Sequence, residues 1–282
     1  MDDYELIDAG GGARLERFGE YLLDRPHGAA FNDRQAPERW PDADVRFDRD
    51  RGWTGPGVAA AQAGWTIRHH ELTMGLRATD AGQVGLFPEH GQMLPWLRDR
   101  VVERTADDRP VEVLNLFAYT GLTTLALTRE GATITHVDAS RPAVAWARRN
   151  AAANGLEDRP IRWIVEDARA YAEREIRRGR HYDGIVLDPP TFGHGSGAIA
   201  WRLQDHLPGL LSSCARLLFA DGFLLLTAHT EGYAPEHLDS MIGAALGRGR
   251  PTTTARGDLD IETTAGGTLA LGAYASVDRR AS

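Results

Sequence analysis

Three short stretches carry residue types that could do chemistry together: Leu114-Asn115-Leu116-Phe117-Ala118-Tyr119-Thr120-Gly121, then Val137-Asp138, then Leu187-Asp188-Pro189-Pro190-Thr191-Phe192. An apolar run from Val111 to Leu116 enters a turn ending at Gly121, and a helical pattern follows. This is the opening of a βαβ unit, where a glycine lets backbone approach a ligand and the helix N-terminus offers free N–H groups to a carboxylate. Asp138 ends the next strand, roughly 20 residues on, where a ribose hydroxyl pair needs an acceptor. Together the pieces describe a nucleotide-type cofactor pocket with a reaction mouth beside it. The turn has one glycine where a dinucleotide fingerprint has three, so a plain strand-to-helix turn stays open for it. For Asp138 the alternative is a polar strand end that caps a helix.

Asp167 closes Ile161-Arg162-Trp163-Ile164-Val165-Glu166 at the mouth of the following strand. A carboxylate there can accept from an adenine amino group, with Ala168 adding a backbone contact. Capping the helix at 167–179 is a second role, and the two can coexist. The Asp188 stretch is the sharpest signal. Two prolines just after a buried strand forfeit backbone donors and leave carbonyl acceptors fixed in space. Rigid acceptors beside a carboxylate suit an exocyclic amine or ring nitrogen whose lone pair must face a donor in the neighbouring pocket. Phe192 can stack on a planar substrate. A rigid strand exit explains Pro189, but not the whole set.

These residues need a sheet to position them. From Gly91 the pattern is βα alternation: helix 93–102, strand 111–116, helix 122–130, strand 133–137, helix 141–153, strand 161–165, helix 167–179 and strand 183–187. Helix 203–218, strand 222–227 and helix 235–247 follow. Ser140 is placed as the N-cap of the second of these βα helices, and Asn154-Gly155 as its stop. Thr252–Glu262 and Thr268–Val277 flank Ala265-Gly266-Gly267, a hairpin signal. The expected fold is α/β: a Rossmann-like, seven-stranded, mostly parallel sheet closing on an antiparallel C-terminal hairpin, over residues 91–282. Residues 1–90 read as a small antiparallel, β-rich subdomain. Its runs at Tyr4–Ile7 and Tyr21–Leu23 flank Gly10-Gly11-Gly12, and Trp65–His69 pairs with Leu72–Leu76. Pro26 to Gly57 reads as loops anchored by Trp40 and Trp53. Gly85-Leu86-Phe87-Pro88-Glu89 is equally a simple turn or a segment folded over the cofactor.

Composition narrows the function. The 282 residues carry a formal net charge of −8, which lowers the expectation of a nucleic-acid partner without removing it, since a local arginine patch could still bind RNA. All 32 basic residues are arginine. The cluster Arg174, Arg177, Arg178 and Arg180 reads as a solvated helix face. One cysteine excludes an internal disulfide framework and makes a cysteine-built zinc site very improbable. The ten histidines lack ligand spacing, and His69, His70 and His194 read as surface or core fillers. No apolar stretch reaches the roughly 20 residues of a membrane span, and the acidic start argues against a signal peptide. A cytoplasmic protein of bacterial type is expected.

By these residues the chain resembles class I S-adenosylmethionine-dependent methyltransferases of the bacterial large-subunit rRNA methyltransferase group. Asn115 to Gly121 is similar to the group's first motif, and Asp138-Ala139-Ser140, Asp188-Pro189-Pro190 and Val84-Gly85-Leu86-Phe87 also match. The resemblance covers residues 82–277. Leu15–Gly19 and Gly85–Glu89 look like a subgroup lacking the RNA-binding PUA domain. It implies S-adenosylmethionine as cofactor and RNA as acceptor. Around the cofactor it puts Phe117, Tyr119, Asp138 and Asp167; Phe87, Asn115, Thr120, Gly121, Ser140, Ala168 and Asp188 are the further cofactor-binding candidates. Asp188, Pro189 and Phe192 stand at the reaction mouth. Members that make 5-methylcytosine use a cysteine just after the strand corresponding to Phe223–Thr227, and here His229 stands at that place. Cytosine C5 needs a covalent nucleophile before it can take a methyl group. Cys214, on the preceding helix, is expected to be buried and inert. Direct transfer to nitrogen or oxygen is therefore expected, with His229 as a candidate general base or a plain surface or core histidine. A small-molecule or protein acceptor, and a non-catalytic cofactor-binding module, are the alternatives.

Overall fold

Apolar runs without a polar break, such as Ile185-Val186-Leu187, belong in a sheet covered on both faces. The computed structural model describes residues 2–105, 109–193, 200–247 and 253–280, and shows such a sheet. His194 and Thr252 lie outside the described residues. The contacts group the chain into two units. One holds Met1–Gln92 with Asp260–Leu271, the other Met93–Leu259 with Gly272–Ser282.

In the first unit, β1 (Tyr4–Gly10), β2 (Ala13–Phe18), β3 (Tyr21–Pro26), β4 (Val45–Asp48) and β5 (Gly52–Thr54) form one sheet in chain order. A short helix, α1 (Val58–Ala63), leads to the hairpin of β6 (Trp65–His69) and β7 (Leu72–Leu76). Two details differ from the expectation. The Pro26–Gly57 passage contains β4 and β5, and β3 pairs with β4 in parallel among otherwise antiparallel pairs. Aromatic anchoring explains how so polar a passage holds strands. Trp40 is buried and its Nε1 donates to Asp8 Oδ2 at 2.8 Å, while Trp53 Nε1 donates to the Thr79 carbonyl. Burial would raise the Asp8 carboxyl, but donation from Trp40 and from the Ala36, Gln35 and Ala9 amides holds it below the usual range. His69 is buried with Nδ1 3.1 Å from Asp2 Oδ1, which makes it a core histidine.

The second unit carries α2 (Leu94–Thr105), β8 (Glu112–Leu116), α3 (Leu122–Arg129), β9 (Thr133–Asp138), α4 (Arg141–Ala153), β10 (Ile161–Val165), α5 (Ala168–Arg177) and β11 (Tyr182–Leu187). Then come the short pair β12 (Phe192–Gly193) and β13 (Trp201–Arg202), α6 (Leu203–Leu217), β14 (Leu218–Ala228), α7 (Pro235–Leu246) and the hairpin strands β15 (Thr253–Glu262) and β16 (Thr268–Asp278). The seven-stranded sheet has the order β10-β9-β8-β11-β14-β16-β15. Its first five strands are parallel, and β16 runs antiparallel to β14. Alternate side chains serve opposite cores. Leu114, Leu116, Ile185, Leu187, Leu224 and Leu226 pack with α5, α6 and α7, while Val113, Val186, Phe223 and Leu225 pack with α2 and Leu127 of α3.

Strand β14 starts at Leu218, earlier than the expected 222, because Leu218 already pairs with Tyr182 across a register shift before Gly184. Several members of the basic cluster are tied to carboxylates: Arg174 to Glu166, Arg178 to Glu175 and Arg180 to Glu112. No helix among the described residues is long and apolar enough to cross a membrane.

Candidate active site

In an open α/β sheet the crevice for a ligand lies beyond the strand C-termini where the strand order reverses. Here the chain proceeds from β8 outward to β10 and returns on the other side with β11, so the reversal lies between β8 and β11. The Phe117–Gly121 turn leaves β8 at that point, and Asp188 leaves β11 beside it. Phe117 (φ 58°) and Tyr119 (φ 49°) both occupy the left-handed region that side chains normally avoid, and Gly121 follows at φ 95°. Such strain persists only where the surroundings hold it.

Asp138 supplies much of that hold. Its Oδ2 accepts from the Tyr119 amide at 2.9 Å and its Oδ1 from the Ser140 amide at 2.8 Å. One carboxylate thus ties the first turn to the second strand end. Burial pushes the Asp138 carboxyl above its ordinary range, and the two amide donors only partly oppose this. Ser140 caps α4, its Oγ accepting from the Ala143 amide. A second brace is buried beneath the turn. Asn115 Nδ2 donates to Thr124 Oγ1 at 2.9 Å, and Thr124 Oγ1 lies 2.9 Å from His136 Nδ1. Asn115 and His136 are register partners on β8 and β9. Burial pushes the His136 imidazole down to about 3, so it is neutral. The Asn115 amide therefore supports the turn from below. Thr120 is buried, and its carbonyl accepts from Asn150 Nδ2.

Gly121 is required twice over. A Cβ there would meet Ala147 Cβ at 3.2 Å, at a φ no side chain adopts comfortably. Gly121→Ala is expected to destabilise the protein by about 1–2 kcal/mol, the cost of forcing a side-chain residue into left-handed geometry. Urea unfolding measures this directly, and an unchanged midpoint would refute it.

Asp167 caps α5, with Oδ1 accepting from the Arg169 and Ala170 amides. The Arg169 guanidinium also clasps it, Nε to Oδ1 and Nη2 to Oδ2, both at 3.1 Å. Burial would raise this carboxyl, but the Arg169 side chain and the amides hold it below the usual range. Asp167 and Asp138 are thus shifted in opposite directions. Ala168 follows as the first, buried residue of α5. Phe87 belongs to the first unit, where its ring centroid lies 5.8 Å from that of His90.

The exit of β11 is braced by the end of β14. Asp188 Oδ1 accepts from Thr227 Oγ1 at 2.6 Å and stands 3.1 Å from His229 Nε2. Both partners follow from the register that sets Leu187 against Leu226. Thr191 and Thr230 hydroxyls meet at 2.6 Å. Pro189 is buried, and the Pro190 carbonyl accepts from Trp201 Nε1 at 2.6 Å. Of the carbonyls fixed by the proline pair, that of Pro190 is therefore engaged by the protein. Phe192 is 71 % exposed, an apolar ring presented to solvent at the mouth. Cys214 lies in α6, fully buried, and burial pushes its thiol up to about 12.

Reading the sequence missed Thr124, His136, Arg169, Trp201 and Thr227. Arg169 had a local signal, two residues after an expected cap. The others act across strand register or across the chain and carry none.

A strand order of this kind, with an acidic strand end beside the first turn and a carboxylate–diproline exit at the reversal, defines a class I methyltransferase fold. The family described as "Conserved hypothetical protein 95" matches residues 101–205. A solved S-adenosylmethionine-dependent methyltransferase from Agrobacterium tumefaciens is 36% identical, with a TM-score of 0.91 over 99% of this chain and 91% of that one. The chain belongs to the S-adenosylmethionine-dependent methyltransferases. Two curated relatives are each 32% identical: ribosomal RNA large subunit methyltransferase K/L of Magnetococcus marinus, over 60% of this chain, and ribosomal RNA large subunit methyltransferase K of Neisseria meningitidis, over 55%. The matches span only 23% and 43% of those relatives' lengths.

Proposed function

We propose that this protein transfers a methyl group from S-adenosylmethionine to a base nitrogen, or oxygen, of RNA, with ribosomal RNA as the acceptor. The observation that carries this reading is the β11 exit. A carboxylate held by Thr227 and His229 stands beside an exposed aromatic ring, next to a turn strained into a cofactor cradle. The names of the curated relatives support an RNA acceptor.

The site suits the cofactor's chemistry. Asp138 uses each carboxylate oxygen for one backbone amide, and each oxygen retains acceptor capacity for a ribose hydroxyl. Asp167 sits one strand further, on the adenine side, and the α3 N-terminus at Gly121 suits the carboxylate of the amino-acid portion. S-adenosylmethionine supplies a methyl group already activated by a sulfonium, so the protein has mainly to position and desolvate. Asp188 orients the acceptor amine, Phe192 stacks on its ring, and the Pro189 carbonyl fixes its plane. The proton that the acceptor nitrogen would give up on methylation would pass to the Asp188–His229 pair.

Cys214 has no part in this scheme. Cys214→Ala is expected to keep methyl transfer within about twofold, because a thiol buried and held protonated is no nucleophile. A hundredfold loss with the fold intact would restore cysteine chemistry. A pH dependence also follows. Asp138 is pushed up, so it protonates while an ordinary aspartate, at about 3.9, is still ionised. The ribose contact is present above its shifted value and lost as pH falls through it. Affinity for S-adenosylhomocysteine, titrated by calorimetry, should begin to drop on the near side of pH 4. A flat profile down to that point would remove Asp138 from the ribose.

The test of function is transfer of labelled methyl to fractionated extract from a strain lacking the gene, with Asp188→Ala as control. Label in RNA that vanishes with the variant supports the reading. Label confined to small molecules or protein overturns the RNA acceptor and keeps the chemistry, and binding without any transfer leaves a cofactor-binding module.

A further inference from the structure

Trp201 lies outside every motif, yet its indole touches three parts of the site. The ring centroid is 4.9 Å from that of Phe117, in the strained turn. The Arg169 guanidinium carbon, whose nitrogens clasp Asp167, lies over the same ring at 5.8 Å from its centroid. Indole Nε1 donates to the Pro190 carbonyl. The position is fixed by backbone: Gly193 and Phe192 pair with Trp201 and Arg202, and the Leu203 amide donates to the Thr191 carbonyl. The side chain is almost fully buried.

We propose that Trp201 is a positioning residue that couples the cofactor turn to the acceptor exit, so that cofactor binding sets the geometry of Asp188–Phe192. The physical route is short. Phe117 has a positive φ, and its ring packs on the indole, which adds to the hold that Asp138 and the Asn115 brace give the turn. A buried indole N–H needs its acceptor, and here that acceptor is the residue linking Pro189 to Thr191 and Phe192. Proline fixes φ at residues 189 and 190, which leaves few backbone torsions between Pro190 and Asp188 to absorb a displacement. Any shift of the turn when ligand fills it is thereby transmitted to the acceptor side. Loss of the indole N–H costs little in folding, because Pro190 is exposed and its carbonyl can turn to water. A purely structural tryptophan would behave in the opposite way.

This inference rests on the cofactor reading above, and the experiment separates the two. Hydrogen–deuterium exchange at the Thr191, Phe192 and Gly193 amides is followed with and without S-adenosylhomocysteine, alongside its affinity by calorimetry. Wild type should bind and slow exchange about tenfold, a coupling of ordinary size. Trp201→Phe keeps a ring against Phe117, so it should bind within about threefold of wild type while the protection is lost. Trp201→Leu loses both contacts and should also bind about tenfold more weakly. Retained protection in Trp201→Phe, or none in wild type, overturns the coupling. Failure of wild type to bind S-adenosylhomocysteine overturns the cofactor reading instead. Should Trp201→Leu not fold, the phenylalanine variant decides the question alone.

Discussion

Methyl transfer by Asp188→Ala is expected to fall about a thousandfold, within the range of positioning and proton-transfer groups, while S-adenosylhomocysteine affinity changes by no more than about threefold. The split follows from what the Asp188 carboxylate touches. Asp188 stands at the end of β11, and its Oδ1 is oriented by Thr227 Oγ1 at 2.6 Å with His229 Nε2 at 3.1 Å. These contacts aim the carboxylate at the mouth. The turn that would hold the cofactor is braced by Asp138 and by the Asn115–Thr124–His136 chain instead. Removing the carboxylate therefore takes away acceptor alignment and leaves the cradle. Transfer is measured with labelled methyl donor and RNA from the deletion strain, affinity by calorimetry. Equal losses in both would place Asp188 against the cofactor. Unchanged transfer would remove it from the mechanism.

Asp138→Ala should reverse the pattern, weakening S-adenosylhomocysteine binding by about thirtyfold to a thousandfold, equivalent to about 2–4 kcal/mol. Two losses combine. The ribose loses a charged acceptor, and the amides of Tyr119 and Ser140 lose theirs. The first amide belongs to a residue at φ 49°, so its release lets a strained turn relax away from the ligand. Asp138→Asn keeps one side-chain oxygen and should recover part of the affinity, since that oxygen can serve one of the two amides. Were Asp138→Ala to bind as wild type does, Asp138 would be only a brace between β9 and α4.

Most of the sheet was legible because its strands are apolar, short and separated by capped helices. Val111–Leu116, Ile134–Val137 and Tyr182–Leu187 can form little else, and Ser140 and Asp167 mark helix starts by their own side-chain chemistry. The Asp188-Pro189-Pro190 exit could be read for the same reason, since proline restricts the backbone by covalent structure alone. The early start of β14 and the strands within Pro26–Gly57 were not legible. The first rests on a register shift against β11, and the second on an anchor between Trp40 and Asp8, 32 residues apart.

Local chemistry in the sequence thus determined which residues are candidates for a site at the strand ends: a glycine that must tolerate positive φ, carboxylates at strand ends, rigid prolines and an aromatic beyond them. Tertiary structure alone decided what those residues do to one another. Strand pairing brought Thr227 and His229 to Asp188 and His136 to Asn115, and chain closure brought Trp201 beneath Phe117 and Pro190. Contacts of this kind depend on register and on which strand lies beside which. Those are set by the burial of the whole sheet, and no residue's neighbours in the chain encode them.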